Sequence, residues 1–445
     1  MRVAIHTLGC KANQYETQAM ETLLRARGHT LVPFEAEADA YVVNSCTVTA
    51  VSDRKSRQAV RQARKRGPRA VVALCGCYPQ VSPEEAGRLD CDLISGTGDR
   101  IAFLDLLEQT AAGRGRTVSL DDPFRRKAFE VLPAGGLAGR TRAMLKAEDG
   151  CANFCAYCII PYARGAVRSL PLEAAEREAA RLAGEGYREL VLTGIELSSY
   201  GRDLPGRPGP GDQPGLGGRP GPGDLIETVC RAAPDLRVRL GSLEPRTVTE
   251  EFCDRLAALP NLCPHFHLSL QSGCDATLAR MRRKYDTERY LRSAELLRAR
   301  FDRPGLTTDL IVGFPGETEE EFQTTLAFLR RCAFSRMHIF PYSRRRGTPA
   351  ADLPGQVSNA VKADRAARAA ELAAAMERSW LTGWIGQSVP VLFEEEKAGF
   401  WRGYTPQYME VRVPAAGQDL HNRIIDVTVT AAGGTAVFGK RKEEP

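Results

Sequence analysis

Two sets of cysteines could do chemistry. In "GCANFCAYCIIPYARG", Gly150 to Gly165, the residues Cys151, Cys155 and Cys158 are spaced C-x3-C-x2-C, and no fourth cysteine or histidine follows nearby. A closed zinc site or a simple iron–sulfur site takes four protein ligands. Three thiolates in one short loop can hold three irons of a cubane cluster and leave the fourth iron open to a small chelating molecule. An open coordination position belongs to a catalytic metal rather than a structural one. A zinc knuckle completed by a distant cysteine is the competing reading. It fits less well, because the loop follows a predicted strand, "AMLKAE", which would place it at the mouth of a β/α barrel, where active sites sit.

The second set is dispersed. Cys10 ends "RVAIHTLGC", Cys46 ends "AYVVNSC" and Cys77 ends "AVVALCGC", each just past a predicted strand. In a parallel sheet the C-terminal strand ends share one edge, where ligands bind. Three thiols far apart in sequence could therefore meet and again leave one iron open. "CGC" offers Cys75 as well. Strand alternation points Cys75 and Cys77 to one face, and Cys77, farther into the loop, is the expected ligand. The scattered Cys91, Cys230, Cys253, Cys263, Cys274 and Cys332 read as small buried hydrophobes.

The elements that must position these groups fall into three blocks. Residues 1–120 alternate strand and helix patterns, the signature of an α/β layer on a parallel sheet. "NQYETQAMETLLRARG" reads as a helix capped by Asn13 and closed by Gly28. "SDRKSRQAVRQARKRGPR" carries eight basic residues from Arg54 to Arg69. Residues 137–370 hold six strand candidates separated by helices, which suggests a partial (β/α)6 barrel. A Gly/Pro-rich segment, 205–224, repeats "GRPGPGD" and reads as a flexible insertion without chemistry of its own. Residues 380–442 read as strands joined by turns, a small β-barrel of the kind that binds nucleic acid. There Trp401, Tyr404 and Tyr408 lie among Arg402 and Arg412, a mixture suited to base stacking and phosphate contact, although burial of half of these aromatics in the barrel core explains it equally well.

Composition sets the outer bounds. The chain of 445 residues has 13 cysteines and a net charge of +6, mildly favourable to an anionic partner. No apolar run reaches the length of a membrane span, and the start "MRVAIHTLGC" lacks a secretion signal pattern, so a cytoplasmic protein is expected. Clustered cysteines in a reducing compartment bind metal or do redox chemistry rather than form a disulfide scaffold.

Taken together, the motifs resemble those of the radical S-adenosylmethionine methylthiotransferases over nearly the whole chain. "TLGCKANQYET", "NSCTVT" and "GCYPQ" match the N-terminal domain of that family, and "GCANFCAYCIIPYARGAVRS" matches its radical loop. "SLEP", "LSLQSG", "MRRKY", "DLIVGFPGET" and "PYSRRRGTPA" match the barrel, and the tail is similar to the RNA-binding TRAM domain. The resemblance implies two [4Fe–4S] clusters, one on Cys151, Cys155 and Cys158 that cleaves S-adenosylmethionine to a 5′-deoxyadenosyl radical. The other, on Cys10, Cys46 and Cys77, carries the sulfur. It further implies cofactor contacts at Tyr157 (adenine), Gly194 (methionine amino group), and Ser242, Glu244, Gln271 and Asp309 (ribose or carboxylate). The partners implied are a tRNA anticodon stem-loop and an electron donor such as flavodoxin or ferredoxin. "LGCKANQYET" and "CAYCIIPYARG" are most similar to the branch that acts on C2 of N6-threonylcarbamoyladenosine at position 37, beside the anticodon. The prenyladenosine branch shows "GCQMN" at Gly9–Asn13 and the ribosomal-protein aspartate branch shows "GCPKN". An acidic terminal barrel surface would favour the aspartate substrate, and a chain that generates no 5′-deoxyadenosine would be an iron–sulfur RNA-binding protein. Cys75 departs from the threonine usual in the family, and the 205–224 segment is longer than the usual loop.

Overall fold

The computed structural model describes residues 1–113, 115–135, 140–206 and 218–442. Six strands form the first sheet: β1 (Arg2–Thr7), β2 (Thr30–Val32), β3 (Ala40–Ser45), β4 (Val71–Gly76), β5 (Leu93–Ser95) and β6 (Thr117–Ser119). They lie in the order β2-β1-β3-β4-β5-β6, all parallel. β3 is buried along its whole length and β4 almost so, which is why both read as near-continuous apolar runs. This is the Rossmann-like parallel sheet expected from the sequence, and its strand order is flavodoxin-like, with the direction of winding reversed between β1 and β3. β2, β5 and β6, three residues each, are too short for an alternating pattern to show.

The helix α1 (Lys11–Ala26) begins two residues ahead of the expected cap, with Cys10 at the N-cap. Asn13 lies inside the first turn, and its side-chain amide donates to the Leu8 and Ser45 carbonyls, both at 2.9 Å. It therefore ties the ends of β1 and β3 together instead of capping. The helix α2 (Ala50–Arg66) is capped by Thr49, whose hydroxyl accepts from the Ser52 N–H.

The central block contains β7 (Arg142–Asp149), β8 (Arg168–Ser169), β9 (Glu189–Gly194), β10 (Arg237–Leu240), β11 (Ser242–Leu243), β12 (His265–Leu268), β13 (Gly305–Val312) and β14 (Arg336–Pro341). β7, β9 and β10 pair in parallel, as do β11 to β14. The chain steps from β10 to β11 through Gly241, which joins the two sheets into one curved wall. β14 and β7 do not pair, so the result is the expected partial barrel. Residues 207–217 of the Gly/Pro-rich segment lie outside the described residues. Its end is ordered, since Pro222 to Asp224 open the helix Pro222–Ala232 and the Asp224 carboxylate accepts the Gly221 N–H at 2.6 Å.

Alternation along the central strands sorts their side chains. Ala143, Leu145, Ala147, Leu190, Leu192, Val238, Leu240, Phe266, Leu268, Leu306 and Leu310 join the core beneath the outer helices. The other face, turned to the lumen, carries Lys146, Glu148, Glu189, Thr193, Arg239, His265, His267, Asp309 and His338.

After the helix Asn359–Thr382, strands β15 (Ser388–Lys397), β16 (Phe400–Tyr404), β17 (Glu410–Pro414), β18 (Ile424–Gly433) and β19 (Ala436–Arg441) close a barrel in the order β15-β16-β17-β19-β18. Here the structure corrects the expected RNA-stacking surface. Trp401 is buried in the barrel core. Tyr404 and Tyr408 stack on each other with ring centroids 5.0 Å apart. Arg142 lies over both rings, and Arg239 over Tyr408, at 4.7–5.4 Å. Arg402 and Arg412 pair with Glu410. Tyr404 and Tyr408 with Arg142 and Arg239 fasten the terminal barrel to the N-terminal end of the half-barrel, a cation–π seam, while Arg402 and Arg412 stay half-exposed on the barrel itself.

Candidate active site

The C-x3-C-x2-C loop leaves the end of β7 and is pinned by main-chain bonds. Cys151 N–H donates to the Gly165 carbonyl (3.1 Å), Ala156 N–H to the Met281 carbonyl (2.9 Å), and Ala350 N–H to the Ala156 carbonyl (2.8 Å). Gly150, at φ +93°, permits this, because a Cβ there would sit 2.0 Å from the Ala166 carbonyl oxygen. Burial pushes the Cys158 thiol up to about 12 and Cys151 higher, each raised further by a neighbouring thiol of the loop. The Arg283 guanidinium donates to Cys155 Sγ at 3.0 Å.

The second set lies along the C-terminal edge of the first sheet, at the point where its winding reverses. A Cβ on Gly9 would lie 2.8 Å from Cys46 Cβ and 3.1 Å from its sulfur, so the glycine lets the β1 turn close on Cys46. Burial pushes the Cys77 thiol up to about 12, and Cys46 and Cys10 stand near enough to raise it further. Cys75 is not with them. It packs in the core with Leu93, Phe103 and Leu104. Gly76, at φ +97°, breaks the strand alternation that would have put both thiols on one face. Cys77 thereby opens the short helix Cys77–Val81 at the edge.

Both triads have the donor chemistry for a cubane. All six side chains are thiols, and those pushed up by burial become thiolates only where a cationic partner offsets the desolvation. Among the described residues no three His, Cys, Asp or Glu side chains already converge on a single metal ion. One thiolate per iron asks for a wider set than that.

A buried ion network joins the two sites. Glu16 of α1 accepts from Arg100 (2.9 Å), Lys146 (3.0 Å) and Arg164, and Asp149 stands against Lys146 (3.3 Å), Arg168 (3.3 Å) and Arg164 (3.6 Å). Burial disfavours both carboxylates, but the surrounding cations win. Asp149 is held down at about 2 and Glu16 well below the usual carboxylate range. Arg164 lies six residues past Cys158 and also donates to Asn13 Oδ1 at 2.9 Å. It thus touches the α1 turn that begins at Cys10. Arg345 adds a second clasp to Asp53 (2.6 Å) and Thr47 (2.7 Å) beside Cys46.

The expected cofactor contacts separate by depth. Gly194 ends β9, and a Cβ there would lie 2.8 Å from Glu148 Oε2. The glycine admits the Glu148 carboxylate, which accepts the Glu196 N–H at 2.7 Å. Burial raises Glu148 well above the carboxylate range. Burial, then Glu244, raises Glu196 to about 7. Glu244 pairs with Arg246 at 2.8 Å. Gln271, at φ +68°, bridges to β13, its N–H donating to the Asp309 carbonyl at 2.9 Å. Tyr157 stands near Arg283 and the Cys155 and Cys158 thiols, and Ser242 lies beside His267 in register. Asp309 sits deeper, its carboxylate 3.4 Å from His267 Nε2, so it belongs to the lumen wall. Sequence reasoning missed Glu148, Glu196, Arg283 and Arg164. "TGIE" and "MRRKY" contained two of them, but nothing in a linear motif shows which charge turns inward.

The lumen floor is polar. Arg239 is held by both oxygens of Glu189 (2.7 and 2.8 Å), and Arg142 by Glu394 (2.6 Å). Lys11, next to Cys10, reaches within electrostatic range of Arg142, Arg239, Glu189 and Tyr408 and of His265 and His338. Among the described residues its ammonium has no hydrogen-bond or ion-pair partner.

Comparison with known proteins agrees with this architecture. Residues 148–329 match the radical SAM superfamily, and residues 2–96 match the uncharacterized protein family UPF0004. The threonylcarbamoyladenosine tRNA methylthiotransferase MtaB of Bacillus subtilis is 37% identical over 97% of this chain and 94% of its own. The chain belongs to the radical S-adenosylmethionine methylthiotransferase family. MtaB of Aquifex aeolicus is 36% identical over 93% of this chain and 96% of its own. The tRNA-2-methylthio-N(6)-dimethylallyladenosine synthase of Symbiobacterium thermophilum is 33% identical over 100% and 95%. Among solved structures, the radical S-adenosylmethionine methyltransferase TsrM of Kitasatospora setae superposes with a TM-score of 0.55 at 18% identity, covering 79% of this chain and 75% of its own. That likeness is one of fold. Membership makes this methylthiotransferase an enzyme that uses a [4Fe–4S] cluster and S-adenosylmethionine. Among the described residues no helix is long and apolar enough to cross a membrane.

Proposed function

We propose that this methylthiotransferase adds a methylthio group to C2 of N6-threonylcarbamoyladenosine at position 37 of tRNA, in the cytoplasm. In this reading Cys151, Cys155 and Cys158 hold the cluster that binds S-adenosylmethionine, and Cys10, Cys46 and Cys77 hold a second cluster. Loaded there, these groups supply hydrogen abstraction at the base carbon and the sulfur that replaces the hydrogen, with the first electron coming from a donor such as flavodoxin or ferredoxin. The chain's own residues bind and orient. Glu196 at the end of β9 accepts the ammonium of the methionyl group, positioned by Glu148, which accepts the Glu196 N–H, with Glu244, Gln271 and Ser242 along the same rim and Tyr157 beside the adenine. The Glu16–Arg164 network fixes the spacing of the two cysteine sets around one cavity. On α2, Arg54, Lys55, Arg61 and Lys65 are exposed and without ion-pair partners among the described residues. Together with the terminal barrel they hold RNA phosphates, and raising salt weakens tRNA binding accordingly.

The unpaired Lys11 ammonium in the polar lumen carries the choice of substrate. The threonyl side of the modification brings a carboxylate and a hydroxyl, and Lys11 with His267 and His338 can meet both. A prenyl group in the same place would desolvate these groups and give nothing back, the situation in which polar sites discriminate most strongly. Anaerobic reconstitution with unmodified, prenylated and threonylcarbamoylated tRNA, followed by nucleoside mass spectrometry, should yield the methylthio product on the last alone. Product on prenylated tRNA alone would overturn the substrate reading. Lys11→Gln should lower kcat/KM on the threonylcarbamoylated substrate by about 10- to 150-fold, the range of a lost charged hydrogen bond.

A further inference from the structure

Three aromatic rings stand exposed beside the radical loop. Phe154, immediately before Cys155, is 39% exposed, Phe124 is 41% and Tyr162 is 37%. Phe154 lies parallel to Phe124 at 6.4 Å and meets Tyr162 edge-on at 5.7 Å. The arrangement is held, not accidental. Phe154 has a left-handed backbone, φ +46°, which costs a bulky residue free energy and recurs at functional sites. Gly165, at φ +78°, lets the Pro123 carbonyl come to where a Cβ would stand only 2.0 Å away, which seats Phe124 over the loop. The flanking segments carry Arg125, Arg126 and Lys127 on one side and Arg282 and Lys284 on the other, against Asp121 and Asp122. Arg126 is engaged with Asp121. Arg125 is 88% exposed.

The patch lies away from the substrate lumen. Lys11 enters the lumen from the end of β1, whereas Phe124 follows β6, at the opposite end of the run β1-β3-β4-β5-β6 in the same sheet. An exposed apolar patch rimmed by polar residues marks a protein interaction site, and on this rim basic groups outnumber acidic ones: Arg125 stands 3.5 Å from Asp122, while Lys127, Arg282 and Lys284 are exposed and outside any ion pair among the described residues. The one macromolecule other than RNA that radical chemistry calls for is an electron carrier. We propose that Phe124, Phe154 and Tyr162 form the docking face for a small acidic one-electron carrier protein. Its electron enters through Phe154 and the adjoining Cys155. The carrier is oxidised by one electron, the cluster is reduced by one, and no bond forms or breaks. This assignment rests on the family's need for an electron and not on which base is modified.

The test uses the reconstituted holoenzyme without tRNA and follows cluster bleaching in a stopped-flow experiment with either reduced flavodoxin or dithionite. Phe124→Ser and, separately, Lys127→Glu should slow reduction by flavodoxin about tenfold or more, since rim charges act mainly on association, and leave reduction by dithionite and iron content unchanged. The wild-type rate with flavodoxin should fall with added salt. Unchanged flavodoxin rates in both variants would overturn the proposal. Failure of the substrate reading leaves this measurement untouched, because no RNA is present.

Discussion

The two cysteine triads are assembled by opposite means. The loop triad spans eight residues, and its geometry is local, set by Gly150 and by main-chain bonds to Gly165, Met281 and Ala350. The edge triad draws on Cys10, Cys46 and Cys77, and its geometry is that of a sheet. Strand order brings β1, β3 and β4 together, and Gly9 and Gly76 let the turns close. A local site can be moved between scaffolds, whereas an edge site exists only if the whole sheet folds.

The largest effect should separate the two. Cys151→Ala should abolish 5′-deoxyadenosine formation, whereas Cys77→Ala should keep it and lose the methylthio product, with about four irons missing per chain in either case. Equal loss of 5′-deoxyadenosine from both would mean that the triads do not divide the work. Next, Glu16→Met should destabilise the protein by about 3–5 kcal/mol, because it takes the shared carboxylate away from three buried cations, Arg100, Lys146 and Arg164. Denaturant unfolding reads this, and Arg345→Met, at a more exposed clasp, should cost less. A smaller effect concerns only the loop side. Glu196 must be ionised to accept an ammonium, and its pKa is pushed up to about 7. Affinity for S-adenosylmethionine should therefore fall as pH drops below 7, by up to about tenfold per unit, and Glu196→Gln should flatten that profile. The smallest change, Cys75→Ala, should leave iron content unaltered and cost about 1–2 kcal/mol as a modest core truncation. Loss of a cluster in that variant would exchange Cys75 for Cys77.

The same contrast explains what the sequence made legible. The loop triad could be read from spacing alone. The edge triad could be read only because parallel strands share an edge, and the choice between Cys75 and Cys77 turned on the backbone of Gly76, which no alternation rule shows. The Rossmann-like parallel sheet, the half-barrel and the terminal barrel follow from strand and helix periodicity, while β2, β5 and β6 were too short to register. The Tyr404 and Tyr408 stack was misread because composition does not tell a solvent-facing aromatic–arginine mixture from one closed against Arg142 and Arg239. Lys11 was only one residue of the motif "LGCKANQYET" in the sequence, and its position without a counter-ion in the lumen is a tertiary fact.

That misread seam bears on modularity. Since the terminal barrel supplies Tyr408 and Glu394 to Arg142 and Arg239 at the base of the half-barrel, it is a structural partner of the central block and not a detachable handle. A barrel grafted from a relative would have to carry matching partners for both arginines, and a chain cut before β15 would leave Arg142 without its carboxylate.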